Sequence, residues 1–237
     1  VRRRDFLLAL TGFLTSAMIP KFLAKAETQG RKMEDDMEMK SVTRPPKLNS
    51  GDVVGIAAPA LPLSPALENY FKRGLEGISR LGLQVRVAEN ALLYREHLAI
   101  PAQKRADDLN SLFADPEIKA IICIAGGSNA NALLPLLDWR AIEHHPKIFM
   151  GYSDITCLLM GIYARTGMVT FHGPMILNGF SEFPELLPYT REQMEKVIFK
   201  AAPAGALKPP AEWTTDFPKE DSLRQMKPNP GWRWLRP

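Results

Sequence analysis

Apolar residues along this chain fall into two alternating textures: short continuous runs, and longer segments in which they recur every three or four positions. The runs VVGIAA (53 to 58), AIICIA (120 to 125) and Ile148 to Tyr152 read as strands. LQVRVA (83 to 88) alternates like a half-exposed strand, and MVTFH (168 to 172) makes a fifth. Between them lie helical patterns. Ser64-Pro65 opens one whose apolar face is Leu67, Tyr70, Phe71, Leu75, Ile78 and Leu81, closed by Gly82. Pro101 begins a second, with Ala102, Ala106, Leu109, Leu112 and Phe113 on one side. A short helix is predicted near Asn131 to Leu137, and another from Ile155 to Arg165. Strands that are apolar on both sides need helices on both faces of their sheet. The series therefore predicts an α/β fold, an open and mostly parallel sheet flanked by helices and joined by right-handed crossovers.

The flanks have a different texture. Residues 27–47 carry charges of both signs, few large apolar groups and a Pro-Pro pair, which predicts a flexible linker. The α/β domain is expected over 48–180. Past Phe180 the chain turns rich in proline and tryptophan, and only residues 190 to 200 look helical, with Met194, Val197 and Ile198 on one face. Residues 181–237 read as a connector toward a further domain, exposing apolar surface that includes Trp213, Trp232 and Trp234.

Charge changes the picture once it is located. The formal net charge is +4, and residues 1–26, with five Arg or Lys against Asp5, already carry that surplus. The rest is formally neutral, which leaves no basic patch for a nucleic-acid footprint. The same 26 residues read as an export signal: paired arginines in Arg3-Arg4-Asp5-Phe6-Leu7, an apolar span, then Ala24-Lys25-Ala26. A twin-arginine-type address and cleavage after Ala26 predict a periplasmic protein with no stable membrane insertion; uncleaved, the span would be a tether, and the cytoplasm is the alternative location. Cys123 and Cys157 both sit at core-like positions and are expected as free, packed thiols rather than a disulfide.

In an open α/β sheet, ligands collect beyond the carboxyl ends of the strands. The loop Pro59-Ala60-Leu61-Pro62 lacks the glycines of a phosphate loop, so a nucleotide cofactor is not expected. Gly126-Gly127-Ser128-Asn129 follows the strand AIICIA; paired glycines suit either a tight turn or a set of inward N-H donors. Gly151-Tyr152-Ser153-Asp154 joins a strand to a helix. There Ser153 is either a helix cap, with Asp154 the other cap candidate, or a hydroxyl lifted off the sheet beside helical N-H groups. The nucleophile-elbow pattern G-x-S-x-G lacks its last glycine, Ile155 standing in that place. His172 is a base or a structural histidine. Glu143-His144-His145 lacks a third ligand at metal-binding spacing, and Asp107-Asp108 should be a solvated face.

Taken in order, GDVVGIAAPA, QKRADDLN (103 to 110), FADPEIKAIICIAGGSNANALLPLLDW, GYSDIT and TFHGPM resemble the LD-carboxypeptidase family of serine peptidases, from about Leu48 to Pro237. IAGGSNANALLP, PAEWTTDF and NPGWRWL are closer to its microcin-immunity branch. From the residues themselves, no cofactor and no metal are expected; the resemblance implies an N-terminal α/β domain joined to a C-terminal domain, usually as a homodimer. It implies Ser153 as nucleophile, with the backbone N-H of Asp154 and of Gly126 or Gly127 as oxyanion donors. The substrate implied is a peptide with an amide next to a D-amino acid, in murein peptides or in a peptide conjugate. The family's histidine base and its orienting glutamate belong to the C-terminal domain and match nothing in this chain. Taken alone the chain is therefore expected to be inactive or nearly so. The alternatives are a peptide-binding protein without turnover, or a defective fragment.

Overall fold

In the computed structural model, which describes residues 41–93, 100–200 and 202–233, the apolar runs become one parallel sheet. Its strands are β1 (Val53–Ala57), β2 (Gln84–Val87), β3 (Ile118–Cys123), β4 (Ile148–Gly151) and β5 (Phe171–His172), in the order β2-β1-β3-β4-β5. Every pairing is parallel. The crossovers carry α1 (Glu68–Ser79), α2 (Ala102–Ala114), α3 (Trp139–His144) and α4 (Thr156–Thr166), and α5 (Pro188–Ile198) follows the sheet.

Strand periodicity explains the continuous apolar runs, because successive side chains point to opposite faces and both faces are covered. Val54, Ile56, Ala120, Ile122, Ile148 and Met150 pack with Phe71 and Ile78 of α1 and with Met194 and Ile198 of α5. Ala57, Ile121, Cys123 and Phe149 face the other way, against Leu109 and Phe113 of α2, Ile142 of α3 and Leu158 and Ile162 of α4. On the first face α1 also lies flush against a wide helical turn, Ile176–Phe180. A Cβ added at Gly77 would stand 2.3 Å from the Phe180 carbonyl oxygen.

Several boundaries differ from the sequence reading. Ser64 caps a single tight turn, Pro65–Leu67, its hydroxyl accepting from Ala66 N-H, and the regular helix begins only at Glu68. The expected strand 168–172 is split. Val169 N-H donates to Thr43 C=O (2.8 Å) and Thr43 N-H to Gly167 C=O (2.9 Å), so only Phe171 and His172 are left to pair with β4. Backbone pairing thus reaches upstream of Leu48. The helix expected at Asn131 to Leu137 is a tighter coil over Ala130–Leu136, with Pro135 inside it. Val197 is 42% exposed although Met194 and Ile198 are buried; those two, four apart, share the inner face of α5, and Val197 falls at its edge. The pair Asp107-Asp108 also divides. Asp107 is exposed, but Asp108 is buried and accepts from the backbone N-H (3.1 Å) and side-chain amide (2.8 Å) of Asn90. Burial pushes its carboxyl above the usual range.

Both thiols are free, Cys123 fully buried and Cys157 partly so. Burial drives the Cys123 thiol strongly up, which keeps it protonated. After α5 the chain is held to the domain by arginines. Arg73 donates to the carbonyls of Ser181 (2.6 Å) and Lys219 (2.7 Å), and Arg224 makes a forked pair with the buried Glu182 carboxylate. A two-stranded antiparallel pair, β6 (Glu212–Trp213) with β7 (Lys227–Pro228), lies in this part. Trp213 (44% exposed), Trp232 (57%) and Phe217 (77%) face solvent. Trp234, and residues 1–40 with the export and most of the linker expectation, lie outside the described residues.

Lys147, just before β4, buries an ammonium that donates to the Asp115 carbonyl. Burial lowers its pKa from 10.5 to about 8, Asp115 opposing the fall and Lys119 adding to it. With the folded value depressed, the unfolded chain binds more protons between about pH 8 and 10.5, so this group adds stability as pH rises through that window. Urea unfolding of the wild type and Lys147→Met across that range should show the wild type gaining of order 1–3 kcal/mol relative to the variant. A parallel pH dependence in the two proteins would contradict it.

Candidate active site

The sheet order places β1 between β2 and β3, so the chain reverses direction across the sheet after β2, and the carboxyl ends of β1 and β3 are where an open α/β sheet of this order forms its ligand crevice. Three loops meet there. A Cβ on Gly127, whose φ is +151°, would lie 2.9 Å from the backbone nitrogen of Leu61, in the loop after β1. A Cβ on Gly126 would lie 2.7 Å from the Cβ and 2.9 Å from the Oγ of Ser153, in the loop after β4. The glycine pair therefore touches the neighbouring loop on each side. Neither position has room for a side chain.

Ser153 has φ +61°, one of two described non-glycine residues with positive φ, and it is exposed. A left-handed serine is uncommon and costs of order 1 kcal/mol or more. The turn is not made for helix capping. Neither the tight turn Ser153–Ile155 nor α4 after it carries a side-chain cap. Asp154 instead accepts, through Oδ2, the N-H of Ala130 across the crevice (2.9 Å), tying the elbow to the loop after β3. The missing last glycine of the elbow pattern is explained as well: a Cβ on Gly151 would stand 2.8 Å from Cγ2 of Ile155, so the first glycine leaves the space that the Ile155 side chain occupies.

The structure thus brings together Ser153, Asp154, Gly126 and Gly127 as a unit. His172 closes β5 opposite Gly151, exposed, with its ring 5.9 Å from that of Tyr152. Burial raises the Tyr152 hydroxyl pKa and keeps the phenol neutral. Cys157 donates to the Asp154 backbone carbonyl (3.0 Å); burial first, then the Asp154 charge, push its thiol up, which disfavours the nucleophilic thiolate. His144 lies away from the crevice on α3, where its Nδ1 meets the Arg140 carbonyl (2.7 Å). Sequence reasoning gave no role to Asn129, the second left-handed residue (φ +67°), nor to Arg105, buried under the crevice. A polar residue in the helical run QKRADDLN was the available signal for Arg105, since α2 turns that face inward.

A solvent-facing serine at a left-handed strand-to-helix turn, packed on a double-glycine loop, has the local geometry of a nucleophile elbow. Residues 54–173 match the family described as the LD-carboxypeptidase N-terminal domain, and the chain belongs to that family. It is 38% identical to the Microcin C7 self-immunity protein MccF of Escherichia coli, over 62% of this chain and 43% of that protein. It is 30% identical to a murein tetrapeptide carboxypeptidase of Pseudomonas aeruginosa, over 62% and 47% respectively. The fold superposes on a structure of MccF in complex with glutamyl sulfamoyl guanosine with a TM-score of 0.72, at 31% identity, covering 78% of this chain and 57% of that one. The chain spans about half the length of the curated relatives it matches.

The elbow's strain gives a direct measurement. Ser153→Gly should be more stable than Ser153→Ala by about 1 kcal/mol, because only glycine adopts this φ freely. Urea midpoints of the two variants check it, and equal midpoints would mean that the turn relaxes out of the left-handed region.

Proposed function

We propose that this chain is the nucleophile-bearing part of a serine carboxypeptidase of LD-carboxypeptidase type. The observation that carries the reading is the left-handed, exposed Ser153 set directly against Gly126. In the reaction, Ser153 Oγ bonds to the carbonyl carbon of an amide whose nitrogen belongs to a D-amino acid, and the hydroxyl proton passes to a base. The oxyanion that forms is held by the backbone N-H groups of Asp154 and of Gly126 or Gly127. The C–N bond then breaks, the leaving amine takes the proton, and water hydrolyses the acyl-serine ester. The base is the histidine that the family resemblance assigns, with its glutamate, to the C-terminal domain. A serine without its base loses about 10⁴ to 10⁶ in rate, so turnover by residues 1–237 alone is expected to be weak.

Substrate class follows the relatives: a murein tetrapeptide for the Pseudomonas enzyme and an acyl sulfamoyl nucleoside bound by MccF. Both names fit a small acyl or peptide group presented to a crevice with room for a polar leaving group. The partner is a peptide or peptide conjugate. As in the family, the working form is a homodimer.

A peptidyl phosphonate with imidazole supplied as an external base is the direct test, because it phosphonylates a base-assisted serine and needs no leaving-group protonation. Mass spectrometry should find the adduct on the tryptic peptide containing Ser153, and Ser153→Ala should abolish it. Labelling at another serine, or labelling that survives the substitution, would overturn the assignment.

We also propose that the enzyme works in the periplasm, delivered by the twin-arginine-type signal of residues 1–26. Cell fractionation followed by N-terminal sequencing should recover protein beginning at Glu27. Recovery in the cytosol with Arg2-Arg3-Arg4 still attached would refute export.

A further inference from the structure

The chemistry above leaves a buried cation unused. Arg105, in the first turns of α2, is 5% exposed. Removing a guanidinium from water costs several kcal/mol unless it is hydrogen-bonded and balanced by charge. Its Nε donates to the Ile100 carbonyl (2.9 Å), and its Nη1 to the Pro59 carbonyl and, at 3.5 Å, to that of Asn129. These three acceptors belong to different loops: the one entering α2, the one after β1 and the one after β3. The opposite charge acting on it is Asp154, whose carboxylate also receives Ala130 N-H. Asn129, which must hold a left-handed conformation, sits between these two attachments.

We infer that Arg105 is a positioning residue for the oxyanion loop. The planar guanidinium spans two walls of the crevice at once, fixing the height of Gly126-Gly127 between the Leu61 loop and the Ser153 elbow. Its charge also offsets the Asp154 carboxylate beside the nucleophile, so that the elbow need not repel a developing oxyanion. A lysine keeps the charge but replaces the fork with a single point donor. It can balance Asp154, but without the Nε donor to Ile100 its one nitrogen is not held between the Pro59 and Asn129 carbonyls, both of which Nη1 meets here. The inference rests on the reading of Ser153 as nucleophile for its catalytic meaning and on the hydrogen bonds alone for its mechanical one.

The test uses the 237-residue chain and its Arg105→Lys and Arg105→Met variants, with two readouts. Amide hydrogen exchange resolved by mass spectrometry reports residues 125–131 against α4 and the remaining helices. A peptidyl boronic acid reports the tetrahedral adduct on Ser153 by its affinity. In Arg105→Met, exchange over 125–131 should accelerate by about tenfold or more while α4 is unchanged, and boronate affinity should fall by about 10²-fold, the scale of one lost oxyanion donor. Arg105→Lys should recover part of the affinity but keep the faster loop exchange. If Arg105→Met does not fold, Arg105→Lys decides by the same two measures. Unchanged loop exchange, uniform acceleration through every helix, or intact boronate affinity in both variants would overturn the inference. Where the wild-type chain takes no boronate, the exchange arm judges Arg105 by itself, local acceleration supporting it and uniform or absent acceleration ending it.

Discussion

The left-handed turn at Ser153 is the constraint around which the crevice is arranged. A serine adopts φ +61° only where its surroundings leave no better choice. Here the Ser153 side chain is set against Gly126, and two residues further on the Ile155 side chain is seated in the space left by Gly151. Both contacts depend on absent Cβ atoms. The strain is local, while the packing that maintains it reaches through β3, β4 and α4.

A parallel sheet suits this purpose because its loops of one kind all lie at one end. The double-glycine loop after β3 is flanked by the loops after β1 and β4, and Gly127 and Gly126 make one close contact with each. Polar cross-links then replace apolar packing where the chain leaves the sheet. Asp154 to Ala130 joins two loops, and Arg105 adds the third through carbonyl oxygens. The fold is held by its two apolar faces, and the crevice by hydrogen bonds that the apolar faces do not require.

The match to the LD-carboxypeptidase N-terminal domain ends at residue 173, and the segment beyond differs in physical character. Up to α5 it still packs on the sheet through Ile176, Phe180, Met194 and Ile198, whereas the part after α5 is fastened by Arg73 and Arg224 and leaves Phe217 and Trp232 in solvent. In the proposed enzyme, Ser153 and the glycine pair thus stand on the sheet scaffold. The histidine base and its glutamate are to be brought to them across a surface of this kind.

The sequence by itself determined the α/β class and the order of strands and helices, since burial on both faces of a sheet writes continuous apolar runs and amphipathic helices write a period near 3.6. It also marked Ser153, Asp154, Gly126 and Gly127, because glycine pairs and a serine between strand and helix are local signals. Tertiary structure alone decided the rest. Whether Ser153 capped a helix or stood free depended on a φ angle set by a loop some 25 residues away in the chain. Asp108 read as solvated, yet Asn90 from another part of the chain surrounds it. Arg105 had no role in the sequence reading, yet three carbonyls from separate loops converge on it. Periodicity records which residues avoid water, but a polar group's partner is fixed only when distant segments meet.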